Sequence, residues 1–140
     1  MIFNSLRINN YRAYYGESIF DFPIEGERNI SILYADNDVG KSCFFSAILF
    51  CLYGPKDSDD LKDLINVNAQ SEKSYHTEVS LFIENGQDKI EISRAIDLRG
   101  KLDATPSSKD FKCTLELIKN GVPLSSDEDE KADFINSLGH

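Results

Sequence analysis

Residues 29–53, NISILYADNDVGKSCFFSAILFCLY, decide how this chain is read. The run from Asn29 to Tyr34 is apolar and β-compatible, and a polar turn follows it. From Cys43 onward, Phe44, Ala47, Ile48, Cys51 and Leu52 recur at helical spacing, with Phe45 and Leu49 widening the apolar face, until Gly54-Pro55 stops the helix. A strand, a loop ending Gly40-Lys41-Ser42 and then a helix is the context expected of a phosphate-binding loop. There, backbone N–H groups face an anion, Lys41 reaches terminal phosphates and the Ser42 hydroxyl holds a magnesium ion. The predicted ligand is ATP with Mg2+.

The loop reads Ala35, Asp36, Asn37, Asp38, Val39, Gly40, Lys41, Ser42, and it departs from the usual pattern at two places. Ala35 stands where the first glycine is expected; a negative φ accommodates it, whereas a positive φ would strain its Cβ. A carboxylate at Asp38 would repel phosphate unless the turn points it outward. The alternative reading of the bare motif is an ordinary strand, turn and helix.

Working outward, Ile2, Asn4, Leu6 and Ile8 alternate with Phe3, Ser5, Arg7 and Asn9, which predicts a short strand with the first set inward. Tyr11, Arg12, Tyr14 and Tyr15 follow before Gly16. Arg12 has two readings: a surface arginine among packing aromatics, or a planar donor set placed near a nucleotide phosphate. Ser18 to Phe22 predicts a second strand, and Pro23 and Gly26 punctuate the way to Asn29.

Beyond the helix, Lys56 to Lys73 is polar and reads as a surface connection with a short helical tendency over Asp59–Ile65. The alternation of Tyr75, Thr77, Val79, Leu81 and Ile83 predicts a strand, turned by Asn85-Gly86 into a partner around Lys89–Ile96. Arg94 has two readings, a donor facing a phosphate or a carboxylate and, the favoured one, a polar sheet-face residue; His76 reads as a strand-surface residue rather than a metal ligand. Phe111–Lys119 predicts another strand, with Cys113, Leu115 and Leu117 on one side and Asn120-Gly121 as its turn. Ser125 and Glu128 fit a capping box opening a helix whose stripe is Phe134, Ile135 and Leu138.

Composition narrows the classes. A chain of 140 residues, 41% hydrophobic, accommodates one modest folded domain. Its formal charge of −9 argues against a binder that relies on a broad basic surface, without excluding DNA contact within a larger assembly. Cys43, Cys51 and Cys113 lack the close spacing of a zinc site and are odd in number, so neither metal nor disulfides are predicted. No secretory signal or membrane-spanning run is read, and a reducing cytoplasmic location is the expectation, with no membrane partner.

Taken together, Leu6, Ile8, Asn10-Tyr11-Arg12, Gly40-Lys41-Ser42 and the run from Ala47 to Gly54 resemble the N-terminal ATP-binding lobe of SMC-like ATPases, especially the SbcC-type and DndD-like groups. The opening NYRAYYGE with Phe20 and Phe22, and the helix ending AILFCLYG, carry this resemblance beyond the loop alone. It covers residues 1–54 most closely and the later hairpins more weakly.

The resemblance implies an α/β fold: an N-terminal P-loop NTPase half-domain with an attached antiparallel β-sheet and a terminal helix. In it, 1–140 form one lobe, about 1–54 the phosphate-loop core and 75–124 the hairpin region. It also implies that Arg12, Asn37, Asp38, Val39, Gly40, Lys41, Ser42 and Cys43 contact ATP, with Ser42 on the magnesium.

Such machines sandwich ATP between heads. The expected partners are therefore a complementary C-terminal ATPase lobe or a homologous head, with DNA and a nuclease in a larger assembly for repair or DNA-directed defence. The Walker B element and signature motif belong to that other lobe, so 1–140 reads as a truncated lobe or half of a split ATPase that turns over only when paired. The competing expectation is a noncatalytic interaction or inhibitory remnant with weakened nucleotide binding. A small P-loop nucleotide kinase is a third reading, without a lid or acceptor site to support it.

Overall fold

The computed structural model of the chain describes residues 2–22, 38–56, 60–100, 105–124 and 127–138, and of residues 38–42 the backbone only. The predicted strand Asn29–Tyr34, the loop residues Ala35–Asn37 and the capping serine Ser125 lie outside the described residues.

The alternating segments form strands β1 (Ile2–Asn9), β2 (Glu17–Asp21), β3 (His76–Asn85), β4 (Asp88–Leu98), β5 (Phe111–Lys119) and β6 (Val122–Pro123). They build one antiparallel sheet in the order β2-β1-β3-β4-β5-β6. The helices are α1 (Asp38–Tyr53), the short α2 (Val67–Ser71) and α3 (Glu128–Leu138).

Among the described strands, those of residues 2–21 and those of residues 76–123 belong to one sheet. β1 pairs directly with β3, placing Leu6 opposite Leu81 and Ile8 opposite Val79. The inward side chains of β1 thus continue the apolar layer that Val79, Leu81, Ile90, Ile92, Ile96, Leu115 and Leu117 form on the hairpin strands. The inward set predicted for β1 holds only from Leu6 onward. A bulge between Phe3 and Ser5 shifts the phase, so Phe3 faces Ile83 while Ile2 lies opposite Glu84.

Both hairpin turns follow from backbone chemistry. In the β5–β6 turn Asn120 has φ +53° and Gly121 +84°, the paired left-handed conformation that Asn-Gly favours. Between β3 and β4, Asn85 pairs with Asp88, so the two-residue loop is Gly86-Gln87, one position later than the expected Asn-Gly pair. Only Gly86 of the two takes positive φ, at +67°.

One face of the sheet is covered by α1, packed on β3 and β4, and by α3, packed on β5. α1 buries Cys43, Phe44, Ala47, Phe50 and Cys51. Phe44 anchors its start, with ring centroids 5.1 Å from Phe20 and 6.2 Å from Phe22. α3 buries Ile135 and Leu138 and half-buries Phe134, as its stripe predicts. Its first turn is capped by the Asp127 carboxylate, which accepts from the N–H groups of Asp129 and Glu130. Lys131 is buried as well, donating to the Leu115 carbonyl at 2.6 Å.

The segment read as a surface connection is structural. A 3-10 turn at Leu61–Leu64 leads into α2, and Leu64, Ile65, Asn66 and Ala69 are all buried. Ile65 forms a β-bridge with Tyr11, a contact across the chain that local polarity could not reveal.

Candidate functional site

Two of the three residues that follow β1 have an unusual backbone. Asn10 has φ +52° and Arg12 +48°, both in the left-handed region that costs an L-residue about 1 kcal/mol. Asn10 offsets that cost locally, because its side-chain carbonyl accepts from the Gly16 N–H at 2.7 Å and closes the turn. Arg12 is held from the other side: its N–H donates to the Leu64 carbonyl at 2.9 Å, and its carbonyl accepts from the Asn66 side-chain amide at 2.8 Å.

This conformation delivers two side chains to α1. The buried Tyr11 packs on Phe50, with ring centroids 5.3 Å apart, and its hydroxyl shares a 2.7 Å hydrogen bond with Ser46. Burial raises the Tyr11 phenol above its ordinary value, opposed by the Ser46 hydrogen bond and the Arg12 charge, so it stays protonated and neutral. Arg12 is exposed and donates from Nη1 to Ser46 Oγ at 3.1 Å. Among the described residues no carboxylate pairs with Arg12.

Ser46 lies one helical turn after Ser42. Side chains on a helix lean toward its N-terminus, so the guanidinium bonded to Ser46 sits beside the turn that follows Gly40-Lys41-Ser42. The helix begins at Asp38, earlier than the loop-to-helix junction expected at Ser42, so Asp38–Lys41 form its first turn. The first N–H groups of a helix have no intrahelical acceptor and, with the helix dipole, favour an anion. Arg12, unpaired with any carboxylate among the described residues, adds formal positive charge farther along the helix, at Ser46.

Of the predicted site residues, the structure brings Arg12 to α1. Asn37 and the side chains of Asp38, Val39, Gly40, Lys41 and Ser42 lie outside the described residues. The Cys43 side chain is buried in the core, and its main chain lies within α1 beyond the first turn. Two residues escaped the sequence reading. Ser46 is the one polar residue between Cys43 and Tyr53, an interruption in an apolar run that marks a contact. Asn66 caps α2, accepting from the N–H groups of Asn68 and Ala69, and its position before a short helix is the signal that was available.

A groove of about 520 Å³ runs along α1 between Arg12 and Lys56. Its floor includes Phe45, Leu49 and Tyr53, spaced four residues apart and exposed by 59%, 53% and 66%. Phe45 and Leu49 were expected to widen the buried face; they point away from the sheet because α1 spends Phe44, Ala47 and Cys51 on it.

Two other polar features have structural roles. Arg94 reaches across the inner face rather than lining a polar one: Nε donates to the Cys51 carbonyl at 3.1 Å and Nη2 to the Leu52 carbonyl at 3.4 Å, capping the C-terminus of α1. His76 is held by Asp97 on Nδ1 and approached by Glu78 at 3.5 Å on Nε2. The two carboxylates take opposite ring nitrogens and so do not converge on one cation.

A family model described as an AAA domain matches residues 5–139, and the chain belongs to that family. Along 99% of its length the chain is 27% identical to a protein of Thermoplasma acidophilum named DNA double-strand break repair Rad50 ATPase. It is also 33% identical, over 61% of its length, to an uncharacterized protein of Acanthamoeba polyphaga mimivirus. The chain spans 15% and 6% of the lengths of these relatives.

Proposed function

We propose that this chain is the N-terminal nucleotide-binding lobe of an SMC-like P-loop ATPase that binds ATP with magnesium and hydrolyses it only with a complementary lobe. The observation that carries the reading is Arg12, fixed in a left-handed backbone and bonded to Ser46 one turn beyond Gly40-Lys41-Ser42. In this reading the phosphates rest on the main-chain N–H groups of Asn37 to Lys41, Lys41 neutralises the terminal phosphates, Ser42 holds Mg2+, and Arg12 closes the side toward β1. The likeness to the Rad50 ATPase supports a place in a DNA repair assembly; an SbcC-type or DndD-like subtype, with DNA and a nuclease as further partners in the cytoplasm, is the finer form.

Hydrolysis needs a positioned water and compensation of transition-state charge, which the reading assigns to the other lobe. The exposed Phe45, Leu49 and Tyr53 face supplies an apolar surface for it. A noncatalytic role is favoured by Ala35 and Asp38, the two departures from the loop pattern.

Magnesium-dependent ATP binding and turnover, measured for the chain alone and with its complementary lobe, separate these readings. The expected result is binding by the chain alone, turnover only when paired, and loss of both in Lys41→Ala. Absence of binding in either setting removes the nucleotide site.

A further inference from the structure

Asn66 does not line the groove, yet each hydrogen-bonding group of its side chain is committed. Its side chain is buried, its carbonyl oxygen accepts from Asn68 and Ala69 N–H at 2.9 and 3.1 Å, and its amide donates to the Arg12 carbonyl at 2.8 Å. Its own N–H donates to the Asn10 carbonyl at 2.9 Å, while Arg12 N–H is taken by the neighbouring Leu64. The two left-handed residues, Asn10 and Arg12, are therefore both bonded through their carbonyls to one asparagine. A backbone in that region persists only where its surroundings over-determine it.

We propose that Asn66 is a positioning residue for nucleotide binding: by locking the φ +48° conformation of Arg12, it aims the guanidinium at Ser46 on α1. This rests on the nucleotide reading above. Releasing the Arg12 carbonyl frees Arg12 to relax toward negative φ, and a relaxed backbone swings a long side chain off the helix without altering any group that touches ligand.

The test separates a lost donor from a damaged helix cap. Serine keeps an acceptor for the α2 cap but cannot donate to the Arg12 carbonyl; aspartate keeps both cap and shape but sets an oxygen against that carbonyl. In the full-length protein, Asn66→Ser and Asn66→Asp are expected to weaken MgATP binding about tenfold, the scale of one lost hydrogen bond. In an Arg12→Ala background the same changes are expected to have no further effect, because Asn66 acts through Arg12.

A nucleotide-free readout accompanies this: exchange of the Arg12 amide hydrogen, protected by Leu64, is expected to accelerate in Asn66→Asp. Unchanged Arg12 protection, or affinity losses that add in the double variants, overturns the positioning role. If wild type binds no ATP while Arg12 protection still depends on Asn66, it is the nucleotide reading that fails.

Discussion

Arg94 shows how one residue can carry a reading that its position in a strand conceals. It faces the apolar layer opposite Leu115, where a charge would be costly, and its guanidinium escapes that cost by bonding the last carbonyls of α1. Gly54 completes the stop with φ +82°, and a Cβ there would stand 3.1 Å from Arg94 Nη1. Gly54→Ala is therefore expected to lose on the order of 1–2 kcal/mol, from left-handed strain and displacement of the cap together. A urea denaturation midpoint lowered at unchanged slope would show it. The sequence legibly marked Gly54-Pro55 as a stop, because glycine and proline act locally. It could not show that the cap comes from forty residues away.

Cys51 gives a second residue-scale expectation. Buried against the sheet, with Sγ 3.1 Å from the Ile92 carbonyl, its thiol is pushed by burial from 9.0 to about 12. Below pH 9 both folded and unfolded chains hold the proton, and its contribution to stability is complete. Between about pH 9 and about pH 12 the unfolded chain releases the proton while the folded one keeps it, so stability falls as pH rises, by up to about 4 kcal/mol. Urea titrations at about pH 8 and about pH 10.5 should show a smaller alkaline loss in Cys51→Ala than in wild type.

At the scale of elements, α1 belongs to two environments. Its Phe44, Ala47 and Cys51 face the sheet, and its Phe45, Leu49 and Tyr53 face outward. The sequence declared the helix through its apolar run, but an all-round apolar helix does not disclose which side meets which layer. The polar stretch before β3 erred the other way: its capping groups and one bridge bury Leu64, Ile65 and Ala69, and no period announces them.

The Asn120-Gly121 turn was legible because its chemistry is local. Asn120 also binds β4, accepting from the Lys89 N–H at 2.9 Å and donating to the Asp88 carboxylate, whose proton affinity that bond lowers. Asn120→Ala should cost about 1–2 kcal/mol in chemical denaturation, since it loses these bonds and strains a β-carbon at positive φ.

At the scale of the molecule, the outward face of α1 has to be reconciled with a chain that spans 15% of the Rad50 ATPase it resembles. Three large apolar side chains in register along one helix favour association over solvation, each gaining about 1–3 kcal/mol if fully covered. They lie beside Arg12, so whatever covers them stands next to the proposed phosphate site and can supply groups that Arg12 and Lys41 lack. Leu49→Glu tests this without touching that site. Leu49 is already half exposed, so the folded chain should hold its stability within about 0.5 kcal/mol and keep its own ATP affinity. A carboxylate on an apolar interface should still abolish capture of the complementary lobe and the turnover that depends on it. If paired turnover survives Leu49→Glu at the wild-type rate, the lobes meet elsewhere and the groove along α1 is a solvent-facing surface.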